Sequence, residues 1–290
     1  MTALDDRPVF RFAPSPNGHL HLGHAFSALL NHDLAAEVGG RLLLRIEDID
    51  TVRCTPQLER DMLEDLAWLG VDWEQPVRRQ SDHFDDYQAA LQDLVDAGVA
   101  YPSALSRGDV KRIVEVEEAQ GIEWPRDPDG APLFPGRAYE DRAEDTDMLA
   151  WRLDVAVAKA HLGVETVTWT EEGAGPDGET GQLVLDPAVW GDFVLARRDT
   201  PTSYHLSVVI DDALQGVTHV VRGRDLFHAT AVHILLQMLF GAPHPIYVHH
   251  DLILEPGSTR KLSKSRNDTS LRAMRAGGAM PSDIRRMVGL

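Results

Sequence analysis

The chain has 290 residues, of which 43% are hydrophobic, and a formal net charge of −18 at pH 7, so it can bury a substantial core. No stretch approaches the ~18 consecutive apolar residues that span a bilayer, and the single cysteine, Cys54, excludes an internal disulfide and a thiolate metal site, so we expect a soluble, cytoplasmic monomer. The acidic excess disfavours a nucleic-acid partner unless a local basic patch contacts the phosphates.

The first elements predict an α/β fold. Val9–Phe12 is typical of a short strand, residues 13–20 form a loop rich in Pro and Gly, and residues 21–38 have helical apolar spacing. Residues 42–46 are apolar apart from Arg45, as in a strand that is buried on both faces. The order strand, helix, strand indicates a βαβ unit and therefore a parallel sheet.

Two helices are predicted next. Thr55 and Pro56 suit the N-cap and first position of a helix that ends at Gly70. A second helix should begin near Ser81 or Asp82 and end at Gly98.

The composition of the sequence then changes. Residues 99–190 are rich in Pro, Gly and acids and have weak periodicity, which predicts an inserted subdomain. Residues 207–210 and 218–221 are interpreted as core strands, and residues 225–239 as a helix. The stretch 251–290 has a local excess of Arg and Lys, so it is a candidate patch for a phosphate backbone.

The loop before the first helix contains the first motif with chemical meaning, His21-Leu22-Gly23-His24. A helix that starts after a parallel strand presents unpaired N–H groups and a positive dipole end, where phosphates bind. His21 and His24 could both donate to one phosphate chain, and Gly23 lets a flat base approach the backbone. A histidine-rich helix cap is the structural alternative.

The second motif, Lys261-Leu262-Ser263-Lys264-Ser265, follows a loop that begins at Pro256-Gly257. Lys261 and Lys264 could close over a triphosphate and neutralise the charge that develops on the α-phosphate and the departing pyrophosphate. A solvated basic loop would explain the lysines alone. Together, the two motifs resemble the HIGH and KMSKS signatures of class I aminoacyl-tRNA synthetases, whose catalytic cores bind ATP.

Four further blocks narrow the resemblance to glutamyl-tRNA synthetases. They begin at Arg11, Leu44, Tyr204 and Val220, and the resemblance covers nearly the whole chain. It implies that Glu47 binds the glutamate ammonium, with Arg11, Tyr204 and Arg222 around the carboxylates and ATP. The remaining residues implied at the glutamate site are Ala13 and Ser15, and those implied at the ATP site are His21, Gly23, His24, Lys261 and Lys264. An ion pair between Glu47 and Arg45 is the alternative, which side-chain alternation on a strand disfavours.

The resemblance also implies a fold and a domain order. We expect a class I synthetase Rossmann-like parallel sheet with an inserted α+β subdomain and a short helical C-terminal segment. The catalytic domain would comprise residues 1–98 and 191–247. The insertion would comprise residues 99–190 and act like an acceptor-binding subdomain. Residues 248–290 would form the motif loop and the terminal helices. A full synthetase would continue for about one more domain of some 200 residues, which binds the anticodon.

Without that domain, the chain resembles a branch of the family whose members lack it. This resemblance implies an acceptor other than the 3′ end of a tRNA. These enzymes are ligases that activate L-glutamate with ATP and Mg²⁺ without tRNA, and esterify it onto the cyclopentenediol of queuosine at the wobble position of tRNA(Asp). The alternatives are a truncated synthetase that charges the 3′ end of tRNA(Glu), a small-molecule nucleotidylyltransferase or ligase with an HxGH helix, and an RNA-binding protein without activity.

One departure from the family concerns zinc, which relatives commonly bind in the insertion. The corresponding positions are Ser103, Leu105, Phe134 and Ala138, which cannot form a tetrahedral site, so we expect no zinc and an insertion stabilised by apolar packing. The later histidines lack a supporting cysteine or carboxylate pattern and are therefore not interpreted as metal ligands: His228, His233, His244, His249 and His250.

Overall fold

The structure is a computed structural model that describes residues 6–145, 147–254 and 269–290. The strands within those residues are β1 Val9–Phe12, β2 Arg41–Ile46, β3 Glu74–Arg79, β4 Ala100–Ser103, β5 Ala150–Leu153, β6 Val167–Glu171, β7 Gly181–Leu185, β8 Val194–Arg197, β9 His219–Gly223 and β10 Ile246–His250. The helices are α1 Leu22–Glu37, α2 Pro56–Trp68, α3 Phe84–Asp96, α4 Arg107–Ala119, α5 Val155–Leu162, α6 Tyr204–Leu214, α7 Thr230–Leu239, α8 Leu271–Ala276 and α9 Pro281–Val288.

Seven strands form one sheet in the order β3-β2-β1-β9-β10-β6-β7. Every neighbouring pair in it is parallel except β6 and β7, which confirms the predicted parallel sheet. From β1 the chain moves outward through β2 and β3, and it later returns on the other side of β1 as β9 and β10. The boundary between β1 and β9 is therefore a topological switch point, where a crevice opens at the carboxyl ends of the strands.

Alternating side chains of the sheet enter two separate hydrophobic cores. Val9 and Val220 belong to the core that contains α6 and α7. Phe10 and Val221 belong to the core that contains α1, α2 and the two C-terminal helices. Helices therefore cover both faces, which buries the central strands and leaves their carboxyl ends as an accessible edge.

Helix α1 connects the first two strands and is fixed to the switch point. Asn31, which is fully buried, donates from Nδ2 to the carbonyl oxygens of Ser27 and of Val221 on β9. At the other end, a Cβ atom on Gly40 would lie 2.7 Å from the carbonyl oxygen of Pro8, so only glycine permits this close turn into β2. These contacts hold the first turn of α1 beside the ends of β1 and β9.

The predicted helices after β2 are confirmed with one shifted boundary. Thr55 caps α2 by accepting from the Leu58 amide, and Gly70 follows the helix with φ +78°. Helix α3 begins at Phe84, later than expected, because residues 80–83 form a 3₁₀ turn first. Strand β3 was not predicted; its buried pattern is weak, since it forms the edge of the sheet.

The second sheet is small and antiparallel, with the order β4-β5-β8. Of the four strands within residues 99–190, β4 and β5 belong to this small sheet, and β6 and β7 lie in the large sheet, where Glu171 of β6 is the register partner of Tyr247. Sheet pairing does not by itself define a domain, so the division at residues 98, 190 and 247 stays a prediction.

The four positions that correspond to the zinc ligands of relatives lie within residues 99–190, and they do not supply a ligand set. Leu105 is buried in an apolar cluster with Trp124, and Phe134 packs against that cluster. The Arg152 guanidinium carbon lies 3.3 Å from the Phe134 ring centroid. The fourth position is Ala138, so Ser103 on β4 is the only polar residue among the four. This chemistry suits apolar packing and not zinc, although the absence of zinc stays a prediction.

The prediction of a strand at residues 207–210 is wrong, because these residues lie inside α6. A short apolar run is compatible with a strand and with a buried helix. Here Ser203 caps a helix, because its hydroxyl accepts from the Leu206 amide. The strand at 218–221 is confirmed by β9. The helix predicted from residue 225 begins only at Thr230, after a 3₁₀ turn over Arg224–Leu226.

None of the helices in the described part of the chain combines the length and apolar character that crossing a bilayer requires.

Candidate active site

Two adjoining cavities open at the carboxyl ends of β1 and β9. The small cavity has a volume of about 150 Å³ and the large cavity one of about 460 Å³. Phe12, Ala13 and Ser27 line both of them. The two cavities therefore adjoin at these three residues, and molecules bound in them would be neighbours.

The small cavity brings together most of the predicted glutamate-binding residues. Its lining includes Arg11, Ala13, Glu47, Tyr204 and Arg222. Its volume is about a third of that of the large cavity, so it suits a smaller molecule than the large cavity does.

The sixth predicted glutamate-binding residue, Ser15, lines the large cavity instead. Its neighbour Ala13 lines both, so the loop after β1 passes from one cavity to the other. The roles of all six residues remain predictions.

The β1–β2 side of the small cavity is a network of paired charges. Arg11 donates from Nε to Asp212 at 3.3 Å, and Arg45 donates from Nη1 to the same carboxylate at 2.7 Å. Arg45, which is fully buried, also donates from Nη2 to Glu47 at 3.2 Å. Burial alone would raise the pKa of Asp212, but the two guanidinium groups lower it below its ordinary value. Both arginines therefore contact a carboxylate directly.

The ion pair between Glu47 and Arg45 corrects our expectation from side-chain alternation. The two residues do share a face, but at the end of β2 that face borders the cavity and buried carboxylates, not an apolar surface. Burial raises the pKa of Glu47, because desolvation outweighs the attraction of Arg45 and Arg11. A cationic group that enters the cavity would therefore stabilise the ionised form of Glu47.

The β9 side differs, because neutral groups hold Arg222. Its Nε donates to Nε2 of His249 at 3.1 Å, and its Nη1 to Nδ1 of His233 at 3.0 Å. Its Nη2 donates to the Leu226 carbonyl at 3.1 Å and to the Thr230 hydroxyl at 2.9 Å. Among the described residues, no carboxylate lies within 4.0 Å of this guanidinium. The charge of Arg222 is thus available to an anionic ligand.

Sequence analysis missed these histidines as parts of the site. Burial lowers the pKa of His249 to about 4, despite its hydrogen bond with Glu171, so the ring is neutral at pH 7. The carboxylate partner comes from β6, far away in the sequence, and no local pattern could reveal it. In residues 6–145, 147–254 and 269–290, no group of three or more His, Cys, Asp or Glu side chains is placed to hold a metal ion.

The large cavity contains the first motif. His21 is the N-cap of α1 and not a helical residue as predicted; its Nδ1 accepts from the Gly23 amide at 3.1 Å. Nδ1 of His24 accepts from the His21 amide at 3.2 Å, and the ring centroids are 3.9 Å apart. A neutral imidazole that accepts at Nδ1 carries its proton on Nε2, so both rings can donate from Nε2.

Gly23 has a steric role that the sequence did not reveal. A Cβ atom there would lie 3.0 Å from Cε1 of His21, so glycine leaves room for that imidazole in the cap. Its predicted role beside a nucleotide base stays a prediction. Lys261 and Lys264 lie outside the described residues, so their predicted roles also stay predictions.

In the described part of the basic C-terminal stretch, two arginines form ion pairs with neighbouring helices, and the interpretation of the stretch as a patch for a phosphate backbone stays a prediction. Arg272 lies 3.1 Å from both Asp61 and Glu64 of α2. Arg285 donates twice to Asp33 of α1, at 2.7 and 2.9 Å. These arginines fasten α8 and α9 to the catalytic domain, so their charge is largely neutralised within the protein.

Comparison with known proteins gives a consistent result. Residues 9–290 match the family described as tRNA synthetases class I (E and Q), catalytic domain. The glutamyl-Q tRNA(Asp) synthetase of Rhodobacter capsulatus is 47% identical over 97% of this chain and 100% of its own length. The protein of the same name from Geobacter sulfurreducens is 39% identical over 92% of this chain and 78% of its own.

A solved structure extends the comparison to a longer enzyme. The glutamate tRNA ligase of Elizabethkingia meningosepticum, in complex with its amino acid, superposes with a TM-score of 0.69 and 26% identity. The match covers 91% of this chain and 53% of that one, so this chain spans about half the length of the ligase.

The parallel sheet, the antiparallel insertion and the histidine cap at the switch point define the catalytic domain of a class I aminoacyl-tRNA synthetase, as predicted. The chain belongs to the glutamate and glutamine family of that class, and within it to the glutamyl-Q tRNA(Asp) synthetases.

Proposed function

We propose that the chain uses ATP and Mg²⁺ to convert L-glutamate to glutamyl-adenylate without RNA, and then transfers the glutamate to the queuosine cyclopentenediol at the wobble position of tRNA(Asp). One observation carries the proposal: a small cavity and a larger cavity share the wall formed by Phe12, Ala13 and Ser27. An α-carboxylate bound in the first cavity can therefore reach an α-phosphate bound in the second.

The charges of the small cavity suit glutamate. Its ammonium binds beside Glu47, where an additional cation stabilises a carboxylate that burial disfavours. Its side-chain carboxylate binds Arg222, the cation held by neutral acceptors. Arg11 and Tyr204 complete the lining, and Ala13 and Ser15 lead the α-carboxylate toward the large cavity.

ATP occupies the large cavity. His21 and His24 donate from Nε2 to its phosphates, beside the positive end of α1, and Gly23 lies under the nucleotide. Lys261 and Lys264 then neutralise the phosphate charge together with Mg²⁺. All of these residues bind the transition state more strongly than they bind ATP itself.

The first step is attack by an oxygen of the α-carboxylate on the α-phosphorus, with pyrophosphate as the leaving group. In the second step a hydroxyl of the queuosine diol attacks the carbonyl carbon of the mixed anhydride, loses its proton, and releases AMP. Neither step requires a protein nucleophile, because positioning and charge stabilisation supply most of the catalysis in such transfers.

The remaining proposals concern the setting of the enzyme. We place it in the cytoplasm, where tRNA(Asp) is available, as a monomer without zinc. The residues that do not offer zinc ligands are Ser103, Leu105, Phe134 and Ala138. The catalytic domain comprises residues 1–98 and 191–247. Residues 99–190 form an inserted subdomain like the acceptor-binding one of the family, and residues 248–290 form the motif loop and the C-terminal helical segment.

Two linked assays test the proposal. The first is glutamate-dependent exchange of pyrophosphate into ATP in the absence of RNA, which should occur with glutamate and not with glutamine or aspartate. The second is transfer of labelled glutamate to tRNA(Asp) from cells that make or lack queuosine. Labelling confined to the queuosine-containing RNA is the expected result, and equal labelling of both RNAs would exclude the modified base as the acceptor.

The match to a glutamate tRNA ligase supports one alternative, a truncated synthetase that charges the 3′ end of tRNA(Glu). The same labelling assay with tRNA(Glu) distinguishes it. Absence of any glutamate-dependent exchange would favour a nucleotidylyltransferase or ligase with another substrate, and RNA binding without exchange would favour a protein that has lost its activity.

A further inference from the structure

Behind Arg222 lies a chain of buried groups that the proposed mechanism does not use. It runs from Glu171 on β6 through His249 on β10 to Arg222 on β9. Glu171 and His249 are 1% and 2% exposed, and neither lines the small cavity. Any influence on a ligand must therefore act through Arg222.

Hydrogen-bond direction determines the tautomer of His249. A guanidinium can only donate, so Nε2 of His249, which receives the Arg222 bond, cannot carry a proton. The proton of the neutral ring is therefore on Nδ1, which lies 2.6 Å from Oε2 of Glu171 and donates to it. Glu171 thus selects the tautomer that accepts from Arg222.

The surroundings of Glu171 require an ionised carboxylate. Its Oε1 accepts from the amides of His249 at 2.8 Å and Gly173 at 3.0 Å, so every hydrogen bond reaches it from a donor. Burial alone would raise the pKa of Glu171, but the bonds from His249 lower it below its ordinary value.

The backbone is closely fitted around this carboxylate. A Cβ atom on Gly173 would lie 2.3 Å from the His249 carbonyl oxygen and 2.9 Å from Oε1 of Glu171. Only glycine allows this approach, so the turn after β6 places the carboxylate accurately.

The opposite side of Arg222 repeats the arrangement with a different partner. Nδ1 of His233 accepts from Nη1 of Arg222, so its proton is on Nε2, which donates to Nδ1 of His205 at 3.1 Å. With the two bonds of Nη2, four of the five guanidinium N–H groups are used by described residues. One N–H of Nη1 remains for a ligand, and its direction depends on the histidines.

We propose that Glu171 is a positioning residue for substrate recognition: through the tautomer of His249 it orients Arg222 so that the remaining N–H meets the side-chain carboxylate of glutamate. His233 and His205 support the same guanidinium from the other side. This inference rests on the proposed function, because it requires that Arg222 binds that carboxylate.

The substitution Glu171→Gln tests the tautomer and hardly changes the volume. The amide oxygen takes the place of Oε1, because two backbone amides donate there. The amide NH₂ then faces Nδ1 of His249 and donates to it. His249 must move its proton to Nε2, where it opposes the Nε–H of Arg222, and the guanidinium loses one of its supports.

The matched control is Glu172→Gln, the same change at the next residue, whose side chain is exposed. In glutamate-dependent pyrophosphate exchange, we expect Glu171→Gln to raise the KM for glutamate by roughly 10- to 100-fold, by analogy with groups that orient metal ligands. The KM for ATP and the kcat at saturating glutamate should change by only about 2-fold. The control should match the wild type.

A second background separates positioning from a general structural effect. His249→Gln provides an amide oxygen that can accept from Arg222 and has no tautomer to invert. Glu171→Gln should therefore change the KM for glutamate by no more than about 2-fold in this background. An equal increase in both backgrounds, or a KM for ATP that rises in parallel with that for glutamate, would overturn the proposal.

The wild-type protein provides an independent test if Glu171→Gln does not fold. Nitrogen NMR of labelled imidazoles, assigned with His249→Gln, should show His249 protonated on Nδ1 at pH 7, and protonation on Nε2 would refute the inference. A wild-type enzyme without glutamate-dependent exchange would refute the proposed function instead. Normal exchange with an unchanged KM in a folded Glu171→Gln variant would refute only the role of Glu171.

Discussion

The two sides of the small cavity hold their arginines in opposite ways. On the β1–β2 side, Arg11 and Arg45 contact the carboxylate of Asp212 directly. On the β9 side, Arg222 contacts two neutral imidazoles, and the buried carboxylate of Glu171 lies behind one of them. On the first side carboxylates accompany the guanidinium groups, whereas the second side keeps a positive charge at the cavity surface.

This difference supports the proposed orientation of the substrate. An ammonium is stabilised where carboxylates accompany the arginines, and a carboxylate is stabilised where a cation has only neutral partners. Composition cannot distinguish the two sides, since both contain arginine. The distinction depends on which residues the sheet places next to each guanidinium.

The largest effect is expected from Arg222→Lys. Lysine cannot reproduce the planar set of bonds to His249, His233 and the ligand, so at least two charge-assisted bonds of ~1.5–3 kcal/mol each are lost. We expect kcat/KM for glutamate to fall by ~10²- to 10⁴-fold in pyrophosphate exchange. Arg41→Lys, in a partly exposed ion pair with Glu74, is the control. Equal losses in both variants would contradict the assignment of Arg222.

Lys264→Ala should have the next largest effect, because we propose that this lysine neutralises charge that develops on the phosphates of ATP. By analogy with the removal of one oxyanion donor, adenylation should slow by ~10²- to 10³-fold, with a smaller change in affinity for glutamate. Single-turnover formation of the adenylate measures it. An unchanged exchange rate would refute the role of this lysine.

Glu47→Gln tests the opposite side of the small cavity. Loss of the charge should raise the KM for glutamate by about 10- to 100-fold, the equivalent of one charge-assisted hydrogen bond. Glu74→Gln, which breaks the partly exposed pair with Arg41 on the neighbouring strands, should change it by less than about 5-fold. If the two substitutions had similar effects, Glu47 would not contact the ammonium.

The smallest expected effect is a pH dependence of the free energy of unfolding, which comes from the buried histidines on the β9 side. Burial lowers the pKa of His205 and of His249 to about 4, from an ordinary value of 6.5. Below pH 6.5 the unfolded chain therefore binds protons that the folded chain does not bind. The free energy of unfolding should fall as pH decreases from 6.5 toward 4, by at most about 1.4 kcal/mol per pH unit for each histidine.

Urea unfolding at several pH values measures this slope. The carboxylates with lowered pKa values, such as Asp212, lose their contribution only below that window. His249→Gln should therefore reduce the slope between pH 6.5 and 4. An unchanged slope would show that His249 titrates normally in the folded protein.

The order strand, loop, helix predicted the place of His21 and Gly23, whereas Arg11 and Glu47 were named from the resemblance to a family, and their roles stay predictions. Arg11 and Glu47 end neighbouring strands of one βαβ unit, and the cap residues His21 and Gly23 begin its helix. The parallel arrangement of the strands then brings their ends together.

The remaining features depend on contacts between distant segments. Glu171 reaches His249 across a strand pairing that joins the insertion to the large sheet, and no periodicity announces such a pairing. Asp212 was within a recognised block, but its role depends on α6 being a helix, and its apolar run was interpreted as a strand. These residues share one property: their partners are fixed by tertiary packing.

The proposed function requires one orientation of glutamate between the two sides of the small cavity. A crystal structure of the chain with glutamate and a non-hydrolysable ATP analogue tests it most directly. The side-chain carboxylate should lie within hydrogen-bond distance, about 2.7–3.2 Å, of Nη1 of Arg222, and the ammonium should contact Glu47. A glutamate bound with its ammonium toward Arg222, or outside the small cavity, would contradict the account.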